Sequence, residues 1–423
     1  MTIKAISTNI GKALLINALF MLISILVAVF NGMDSGFTPM VISFLVTAIT
    51  GIFPFIFVKD KPSTTLHSGY LTIVFSWILS FMFGMLPYVL WGGEFTLANA
   101  WFESVSGYTT TGSTILTDIE ALPKSLLFWR SSTHFIGGLG VIVFLLMVLP
   151  DSSPFKLRLT NLELSSLSKE GYRYKSGKTA RVMVSVYICL TIAETLCLWA
   201  AGMTLFDAVN HAFSTVATGG FSTKNTSVMH FDSAAIDIII TVFMALSSLH
   251  FGVLFAVVAK RSLKPLRNPI SRYYICVIAV FSIIIACSLK IQGGYQTWGK
   301  SLLDATFQTV SFISTTGFGQ ADNAAWPLLA NAILLFASFH CGCSGSTTGG
   351  IKADRMFISL KAAYGDIQKR LHPTSLFRTK VGGRALDEDT VSSVFLYIVL
   401  YIITLFLSFV IVLICGLDIA EAF

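Results

Sequence analysis

The chain has 423 residues, of which 54% are hydrophobic and only 12% are charged, and its net charge is +7. A soluble domain carries about 25% charged residues, so this chain has too few to cover a water-exposed surface. The composition excludes an ordinary soluble domain and indicates a protein that crosses the bilayer many times. The odd number of cysteines, seven, argues against a disulfide framework.

Nine apolar stretches are candidate membrane spans. A spanning helix needs about 20 apolar residues, and runs of that length start near Ala13, Val41, Tyr70, Val182, Ile236, Tyr273 and Val391. Two shorter runs, 135–149 and 326–339, continue into Gly-rich or amphipathic flanks. The first span lacks a small-residue cleavage site and is interpreted as a retained helix rather than a signal peptide. The sequence therefore predicts an all-α polytopic membrane protein.

The basic residues predict the orientation of these spans. With the N-terminus inside, 24 of the 29 Lys and Arg residues lie on the cytoplasmic side. The positive-inside rule therefore favours a cytoplasmic N-terminus. Because cytoplasmic loops account for the positive net charge, the charge is no evidence for nucleic-acid binding.

Three segments between spans repeat one pattern: an Asn or Asp, a mixed apolar and polar stretch, and a Thr/Gly turn. They are residues 99–113, 207–221 and 304–318. In each, a glycine follows the Asn or Asp by 13 positions, and the starts are 108 and 97 residues apart. An internal repeat indicates a repeated structural unit. We predict three hairpins, each a short pore helix followed by a turn that enters the membrane from outside.

The Thr/Gly turns have the chemistry of a cation filter. Non-helical backbone at membrane depth must be buried or line a water-filled cavity, and carbonyl oxygens there can replace the hydration shell of an alkali cation. The pore helix points its partially negative C-terminal end at the same place. The turns contain no carboxylate, which fits a monovalent ion better than Mg²⁺ or Ca²⁺. The predicted ion-binding residues, here called the three filter segments, are Thr110, Thr111 and Gly112; Thr218, Gly219 and Gly220; and Thr315, Thr316 and Gly317.

Gly/Thr stretches also occur where membrane helices pack closely, but three copies in register between spans favour a pore. Replacing a filter glycine with Ser is expected to reduce ion discrimination. Replacing Gly107, just before the first turn, is expected to matter less.

The repeats divide the chain into an N-terminal two-helix addition (1–66), pore repeat 1 (67–150), a cytoplasmic loop with pore repeat 2 (151–265), pore repeat 3 (266–380) and the start of a fourth repeat (381–423). Ala422-Phe423 matches Ala212-Phe213, and the same 13-residue offset from Asp418 would place a fourth glycine eight residues after Phe423. We expect a pseudo-fourfold pore that residues 1–423 do not complete by themselves. Truncation of the gene is the preferred explanation, and a second polypeptide the alternative.

A further segment, Cys341–Lys352, has four glycines within nine residues and cannot remain a regular helix. It is not a phosphate-binding loop, because no Gly-Lys-Ser/Thr ends it and no strand precedes it. Cys341 and Cys343 are interpreted as small residues of a tight loop, since no second cysteine pair completes a metal site. A simple cytoplasmic turn is the alternative for the whole segment.

Isolated polar residues in the spans have simpler explanations than catalysis. Glu103 is interpreted as a solvated carboxylate at the outer mouth rather than a tight partner of Arg130, and Glu194 is costly in a span unless it faces a partner or water. The histidines at 134, 211, 250 and 340 have no ligand spacing and are interpreted as packed helix residues. An intramembrane enzyme would require paired Asp or His-x-x-x-His, and the chain has neither.

Several motifs together resemble the Trk/Ktr/HKT superfamily of potassium transporters, most closely its bacterial TrkH-like branch. They are Ser-Gly-Tyr-Thr-Thr-Thr-Gly-Ser-Thr (106–114), Phe-Trp-Arg-Ser (128–131), Gly-Gly-Leu-Gly (137–140), Ala-Thr-Gly-Gly-Phe-Ser-Thr (217–223), Ser-Thr-Thr-Gly-Phe-Gly (314–319) and Gly-Ser-Thr-Thr-Gly-Gly-Ile-Lys (345–352). The resemblance covers nearly the whole chain. It implies K⁺ as the transported ion, with Gly112 favouring K⁺ over Na⁺, and no bound organic cofactor.

The resemblance also implies the protein's setting: a bacterial inner membrane, a homodimer, and a cytoplasmic nucleotide-binding regulatory ring of the TrkA/KtrA type. It identifies the Gly-rich segment as an intramembrane loop that obstructs the pore. We call Cys341–Lys352 the gate loop, and its predicted gate residues are Gly342, Gly345, Ser346, Thr347, Gly349, Gly350 and Lys352. The expected function is K⁺ translocation for an uptake system, not enzymatic catalysis. An H⁺- or Na⁺-coupled symporter and a non-conducting truncated product are the alternatives.

Overall fold

The computed structural model describes residues 2–58, 66–147, 176–372 and 379–418, and they are almost entirely helical. The α-helices of these ranges are α1 (Thr2–Phe30), α2 (Phe37–Phe57), α3 (Leu66–Gly84), α4 (Leu86–Trp91), α5 (Leu97–Tyr108), α6 (Lys124–Met147), α7 (Ser176–Ala200), α8 (Leu205–Ala217), α9 (Ala234–Ser247), α10 (Phe251–Lys260), α11 (Pro269–Ile291), α12 (Trp298–Ile313), α13 (Leu328–His340), α14 (Ala353–Leu371) and α15 (Glu388–Ile414). A short antiparallel pair, β1 (Lys380–Val381) and β2 (Arg384–Ala385), precedes α15. The predicted all-α fold class is confirmed.

Helices lie at all nine predicted span positions. Within the described ranges, six are long and apolar enough to cross a membrane singly, and the bent pair α9–α10 is a seventh candidate. The remaining two are α6, with 24 residues, and α13, with only 13. The short α13 reaches a membrane-length path only together with the loop that follows it.

The pore helices α5, α8 and α12 begin in the same way. A threonine precedes each helix, and its side-chain oxygen accepts a hydrogen bond from the backbone N–H three residues later. These N-caps are Thr96, Thr204 and Thr297. Threonine is a favourable N-cap because its hydroxyl satisfies a donor that the helix leaves unpaired. The three repeats therefore share a start signal for the pore helix as well as its sequence.

Hydrogen bonds tie the loop between α1 and α2 to the start of α6, and tie the segments that follow α5 and α8 to each other. Ser125 donates its hydroxyl to Asp34 at 2.7 Å, which ties the start of α6 to the loop before α2. Asn225 donates its side-chain amide to Asp118 at 2.8 Å, and this bond is the main reason that the pKa of Asp118 is lowered. These ties join the N-terminal addition and repeats 1 and 2.

Two helices are broken where an uninterrupted helix would cross. The axes of α9 and α10 diverge by 103° at residues 248–250. The gate loop separates α13 from α14, as its glycines predicted, and its end residues Cys341 and Lys352 both have positive φ. Both breaks lie in the helix that follows the pore helix of a repeat.

The residues beyond Asp418 lie outside the described ranges, as does most of the basic stretch from 156 to 181. The predicted match of Ala422-Phe423 to repeat 2, and the proposed repeat boundaries, stay predictions. Helix α15 packs mainly against α14, and Val394 is the one buried residue of α15 among those described.

Helices α1 and α2 pack closely through glycine. A β-carbon on Gly51 would lie 3.1 Å from the side chain of Leu15, and one on Gly11 would lie 2.7 Å from the carbonyl oxygen of Gly51. Small residues let membrane helices approach each other in this way. The close approach makes the N-terminal pair a packed unit beside the repeats.

Replacing Gly51 with Val should push α1 and α2 apart and lower the thermal unfolding temperature of the detergent-solubilised protein, because a side chain there overpacks the contact. Ion selectivity should not change, since this pair forms no part of a filter segment. The control is Thr50→Val, an exposed neighbour on α2. An unchanged unfolding temperature for Gly51→Val would contradict the packing contact.

Candidate cation filter and gate loop

Each pore helix ends in the same hydrogen-bonded turn. The second residue of each filter segment donates its N–H to the carbonyl five residues earlier, as Thr111 does to Ser106 at 2.9 Å. Gly219 donates likewise to Ser214 at 2.8 Å, and Thr316 to Ser311 at 3.0 Å. This is the Schellman pattern of helix ends, which requires a left-handed residue one position earlier.

In all three repeats that left-handed residue is a threonine. Thr110, Thr218 and Thr315 have φ of +53°, +57° and +56°, and the glycine two positions later has φ of +80°, +83° and +79°. Glycine adopts positive φ without strain, but a β-branched residue rarely does. Backbone strain of this kind persists where the surroundings enforce it, and it concentrates at functional sites.

The filter segments lie side by side in the order of the repeats. A β-carbon on Gly112 would lie 1.9 Å from the carbonyl oxygen of Gly219, and one on Gly220 would lie 2.0 Å from that of Thr316. On Gly317 a β-carbon would meet no described atom within 4 Å. The fold therefore brings three segments that are about a hundred residues apart in sequence into direct backbone contact.

A serine six residues before each filter glycine also belongs to the site. Ser106 donates its hydroxyl to the carbonyl of Ser113 at 2.6 Å, and Ser311 donates to that of Phe318 at 2.8 Å. Their counterpart Ser214 instead contacts Nδ1 of His134 at 3.1 Å. Ser106 and Ser311 thus hold the backbone just after their filter glycines. The sequence reasoning missed them, although a serine at the same offset in all three repeats was a visible signal.

A carboxylate on each pore helix holds the chain that leaves the filter. Glu103 accepts a hydrogen bond from the Thr114 hydroxyl at 3.0 Å. Thr223 donates to Asp207 at 2.6 Å, and the Gln320 amide donates to Asp304 at 2.9 Å. These bonds fix the exit segments to their own pore helices, a role that the sequence reasoning did not assign to them.

The interpretation of Glu103 as a solvated mouth carboxylate is wrong. Arg130 Nε lies 2.7 Å from Glu103 Oε1, and the two side chains are 1% and 0% exposed. Arg130 also donates to the carbonyl of Ser222 at 3.3 Å and lies 4.0 Å above the ring of Phe221. A buried charge needs a partner and hydrogen bonds, and here the pair links the exit segments of repeats 1 and 2.

The histidines are packed and hydrogen-bonded, as expected. The ring of His134 stacks on Phe221 at 4.0 Å, and a β-carbon on Gly219 would lie 2.4 Å from that ring. His211 contacts the carbonyl of Asp207 at 2.8 Å. His134 therefore packs against the second filter segment at Gly219 and against the residue that follows it, Phe221.

Gly107 is also more constrained than the sequence suggested. A β-carbon there would lie 2.1 Å from the hydroxyl of Thr133, which is itself buried and bonded to the carbonyl of Arg130. Replacement of Gly107 is therefore expected to disturb the contact between α5 and α6, and its smaller effect on ion discrimination stays a prediction.

The gate loop lies directly against the filter. The N–H of Gly349 donates to the hydroxyl of Thr315 at 3.1 Å, and the Thr347 hydroxyl donates to the carbonyl of Val216 at 3.0 Å. Thr315 is a filter residue and Val216 lies two residues before a filter segment. The predicted gate loop thus contacts the third filter segment and the end of α8.

The ends of the gate loop are held within the loop and its flanking helices. The Lys352 ammonium donates to the carbonyl of Thr348 and approaches its hydroxyl at 3.3 Å. Ala353 donates its N–H to the carbonyl of Gly342 at 2.7 Å, which closes the loop. Cys341 and Cys343 are buried, reduced residues of this turn. Among the described residues, no group of three or more His, Cys, Asp or Glu side chains could hold a metal ion.

The comparison with known proteins agrees with this geometry. Residues 36–275 and 275–423 match the TrkH family model, described as a cation transport protein. The chain belongs to this family. The Trk system potassium uptake protein TrkH of Salmonella typhimurium is 33% identical over 100% of the chain and 88% of its own length, and the TrkG protein of Escherichia coli is 35% identical over 83% and 72%.

A solved structure has the same TrkH fold. The crystal structure of the potassium transporter TrkH from Vibrio parahaemolyticus superposes with a TM-score of 0.89 at 31% identity. It covers 100% of this chain, and this chain covers 88% of it. The predicted resemblance to the TrkH-like branch is confirmed.

Replacing Glu103 with Gln should destabilise the protein by about 3–5 kcal/mol, because Arg130 would remain buried without its charged partner. The measurement is thermal or denaturant unfolding of the purified protein. The control is Glu120→Gln, since the Glu120–Lys224 pair is partly exposed at 3.8 Å and exposed pairs contribute little. Equal, small effects of the two substitutions would contradict the structural role of the buried pair.

Proposed function

We propose that this protein is the membrane-embedded K⁺-translocating subunit of a bacterial potassium uptake system. The observation that carries the proposal is the contact of three strained Thr-x-Gly segments around one locus, with family membership beside it. Relatives named as Trk system potassium uptake proteins support K⁺ as the transported ion. The filter residues listed above would bind the ion through backbone carbonyls and threonine hydroxyls.

The gate loop is proposed to block conduction between transport events. Its support is the pair of hydrogen bonds from Gly349 and Thr347 to Thr315 and Val216. In the proposed pore, a loop in that position would lie across the path of an ion that leaves the filter. Movement of the loop away from Thr315 would open the path.

The setting of the subunit is part of the proposal. The distribution of Lys and Arg supports a cytoplasmic N-terminus, and a bacterial inner membrane follows from the uptake role. The relatives' description as members of a Trk system supports a multi-component assembly. We propose a homodimer and a cytoplasmic nucleotide-binding ring of the TrkA/KtrA type, docked on the basic stretches 156–181 and 352–384. No organic cofactor and no nucleic acid enter the proposal.

Ion-coupled symport is the second candidate, and Glu194 favours it. This residue of α7 is fully buried, its carboxyl group lies near the Thr215 hydroxyl of α8, and none of the described ion pairs includes it. An ionisable residue inside the membrane without a charged partner is a functional candidate by default. Measurement of the reversal potential in defined H⁺, Na⁺ and K⁺ gradients separates the two: a passive pore follows the K⁺ gradient alone.

Replacing Gly112 or Gly220 with Ser should lower K⁺/Na⁺ discrimination strongly, because the side chain would collide with a carbonyl of the neighbouring filter segment. Gly317→Ser should also lower it through backbone strain at its φ of +79°. Uptake of K⁺ and Na⁺ is measured in a transport-deficient bacterial host carrying the gene with its native downstream sequence. The control is Gly299→Ala at the open start of α12, where a β-carbon meets nothing.

Failure of the wild-type gene to support K⁺ uptake in that host would refute the proposed function. Unchanged K⁺/Na⁺ discrimination in all three glycine variants, with uptake intact, would refute only the filter assignment.

Deleting Ser346, Thr347 and Thr348 should raise K⁺ flux in proteoliposomes that contain no regulatory protein, because the shortened loop no longer reaches Thr315 and Val216. The K⁺ flux of the deletion variant is measured with a monovalent-cation dye assay and compared with that of the wild type. The selectivity ratio should stay close to wild type, since the filter segments are unchanged. Wild-type flux from the deletion variant would show that the segment is a connector rather than a gate.

A further inference from the structure

The corner between α9 and α10 is joined to the gate loop by backbone hydrogen bonds. Cys343 donates its N–H to the carbonyl of Ser248 at 2.8 Å, and Phe251 donates its N–H to the carbonyl of Gly345 at 3.1 Å. All of residues 248–251 are buried. Because unpairing buried backbone groups is costly, the loop and the corner are expected to move together.

His250 occupies the centre of this corner. Its Nδ1 accepts a hydrogen bond from the N–H of Gly252 at 2.9 Å and thereby caps the start of α10. A ring nitrogen that accepts carries no proton, so the proton of the neutral imidazole is on Nε2. The ring also packs on the loop, since a β-carbon on Gly345 would lie 2.5 Å from its Cδ2 atom.

His250 and the gate-loop residue Ser344 line one small polar cavity. The cavity has a volume of about 10 Å³ and is lined by His250, Ser344 and Asp354, among others. Nε2 of His250 and Oγ of Ser344 are both buried and have no hydrogen-bond partner within the described ranges. Asp354, in the first turn of α14, accepts the N–H of Ser344 at 2.8 Å. A polar cavity of that size accommodates one bridging water molecule.

The same loop is held against the filter at its other end, through Gly349 and Thr347. The corner therefore forms hydrogen bonds to residues 343–345 of the loop, and the filter end forms hydrogen bonds to residues 347–349. Helix α10 continues from the corner to Lys260, at the start of a basic stretch that runs to Arg272. A displacement of α10 would act on the loop through the corner.

We propose that His250 is a positioning residue that holds the gate loop in its closed position, through a water-mediated bond from Nε2–H to Ser344, and that α10 transmits movement to the loop. This proposal rests on the proposed role of the loop as a gate. It requires no change in the filter itself, so gating and selectivity are separable.

Two substitutions at His250 separate the effect of its Nδ1 cap on α10 from the effect of its proposed Nε2 bond to Ser344. In His250→Asn, the amide oxygen can replace Nδ1 as the cap, because Asn is a strong N-cap, but nothing reaches Ser344. In His250→Gln, the longer amide places a donor near the Nε2 position. K⁺ flux is measured in proteoliposomes without regulatory protein, together with K⁺/Na⁺ selectivity and unfolding temperature.

We expect His250→Asn to raise flux several-fold with selectivity and unfolding temperature near wild type, and His250→Gln to restore flux toward wild type. Ser344→Ala, which removes the hydroxyl from the opposite side, should raise flux to a similar extent, and it provides the test if His250→Asn fails to fold. His230→Asn, at an exposed histidine, is the matched control and should have no effect.

Wild-type flux in both His250→Asn and Ser344→Ala would overturn the proposal if the deletion of residues 346–348 still raises flux. If the deletion also leaves flux unchanged, the gate assignment itself fails. Raised flux in His250→Gln with wild-type flux in His250→Asn would show that His250 acts only as a cap of α10, which also overturns the proposal. Equal increases in both variants would show that a donor at the Nε2 position does not hold the loop, and would overturn it as well.

Discussion

Irregular backbone inside a membrane must find its hydrogen-bond partners within the protein, because hydrocarbon offers none. The filter segments and the gate loop are both irregular, and they lie against each other. The filter turns are satisfied by carbonyls of their own pore helices, through bonds such as Thr111 to Ser106. The gate loop is satisfied by the filter on one side and by the α9–α10 corner on the other. Each irregular element thus depends on the next for its stability.

This mutual dependence explains why the helices that follow the pore helices of repeats 2 and 3 are both broken. The break in α9–α10 exposes the carbonyl of Ser248 and the N–H of Phe251, which a continuous helix would have used internally. Those two groups bond to the gate loop that interrupts the third repeat. One break therefore supplies the backbone partners that the other requires.

A buried ion pair also joins separate parts of the chain near the filter segments. Glu103 and Arg130 are buried together, and their remaining hydrogen-bonding groups reach the exit segments of repeats 1 and 2. A buried ion pair is weak evidence for net stability, but its geometry joins two repeats at a fixed spacing. Asp207 and Asp304 hold their own exit segments through Thr223 and Gln320, and neither has an equally buried cation as its partner among the described residues. All three repeats thus have a carboxylate that holds the exit segment, but only the carboxylate of repeat 1 is paired with a buried cation among the described residues.

The sequence by itself determined the features that local patterns carry. Apolar run lengths located nine helices, and the 13-residue offset located three short helices and the Thr-x-Gly turns that follow them. The glycines at 342–350 located the interruption between α13 and α14. These features depend on residues that are close in the chain, so periodicity and composition report them directly.

Only the tertiary structure decided which distant groups meet. The contact of Gly112 with Gly219, the burial of Glu103 against Arg130 and the packing of Gly107 on Thr133 all join residues from different helices. Local sequence gives the type of each residue but not the side of the helix that a later helix will cover. A glutamate near a membrane surface can face water or a buried arginine, and its neighbours in the chain are the same in both cases. The fold resolves this because packing α5 against α6 removes water from Glu103 and brings Arg130 within hydrogen-bond distance.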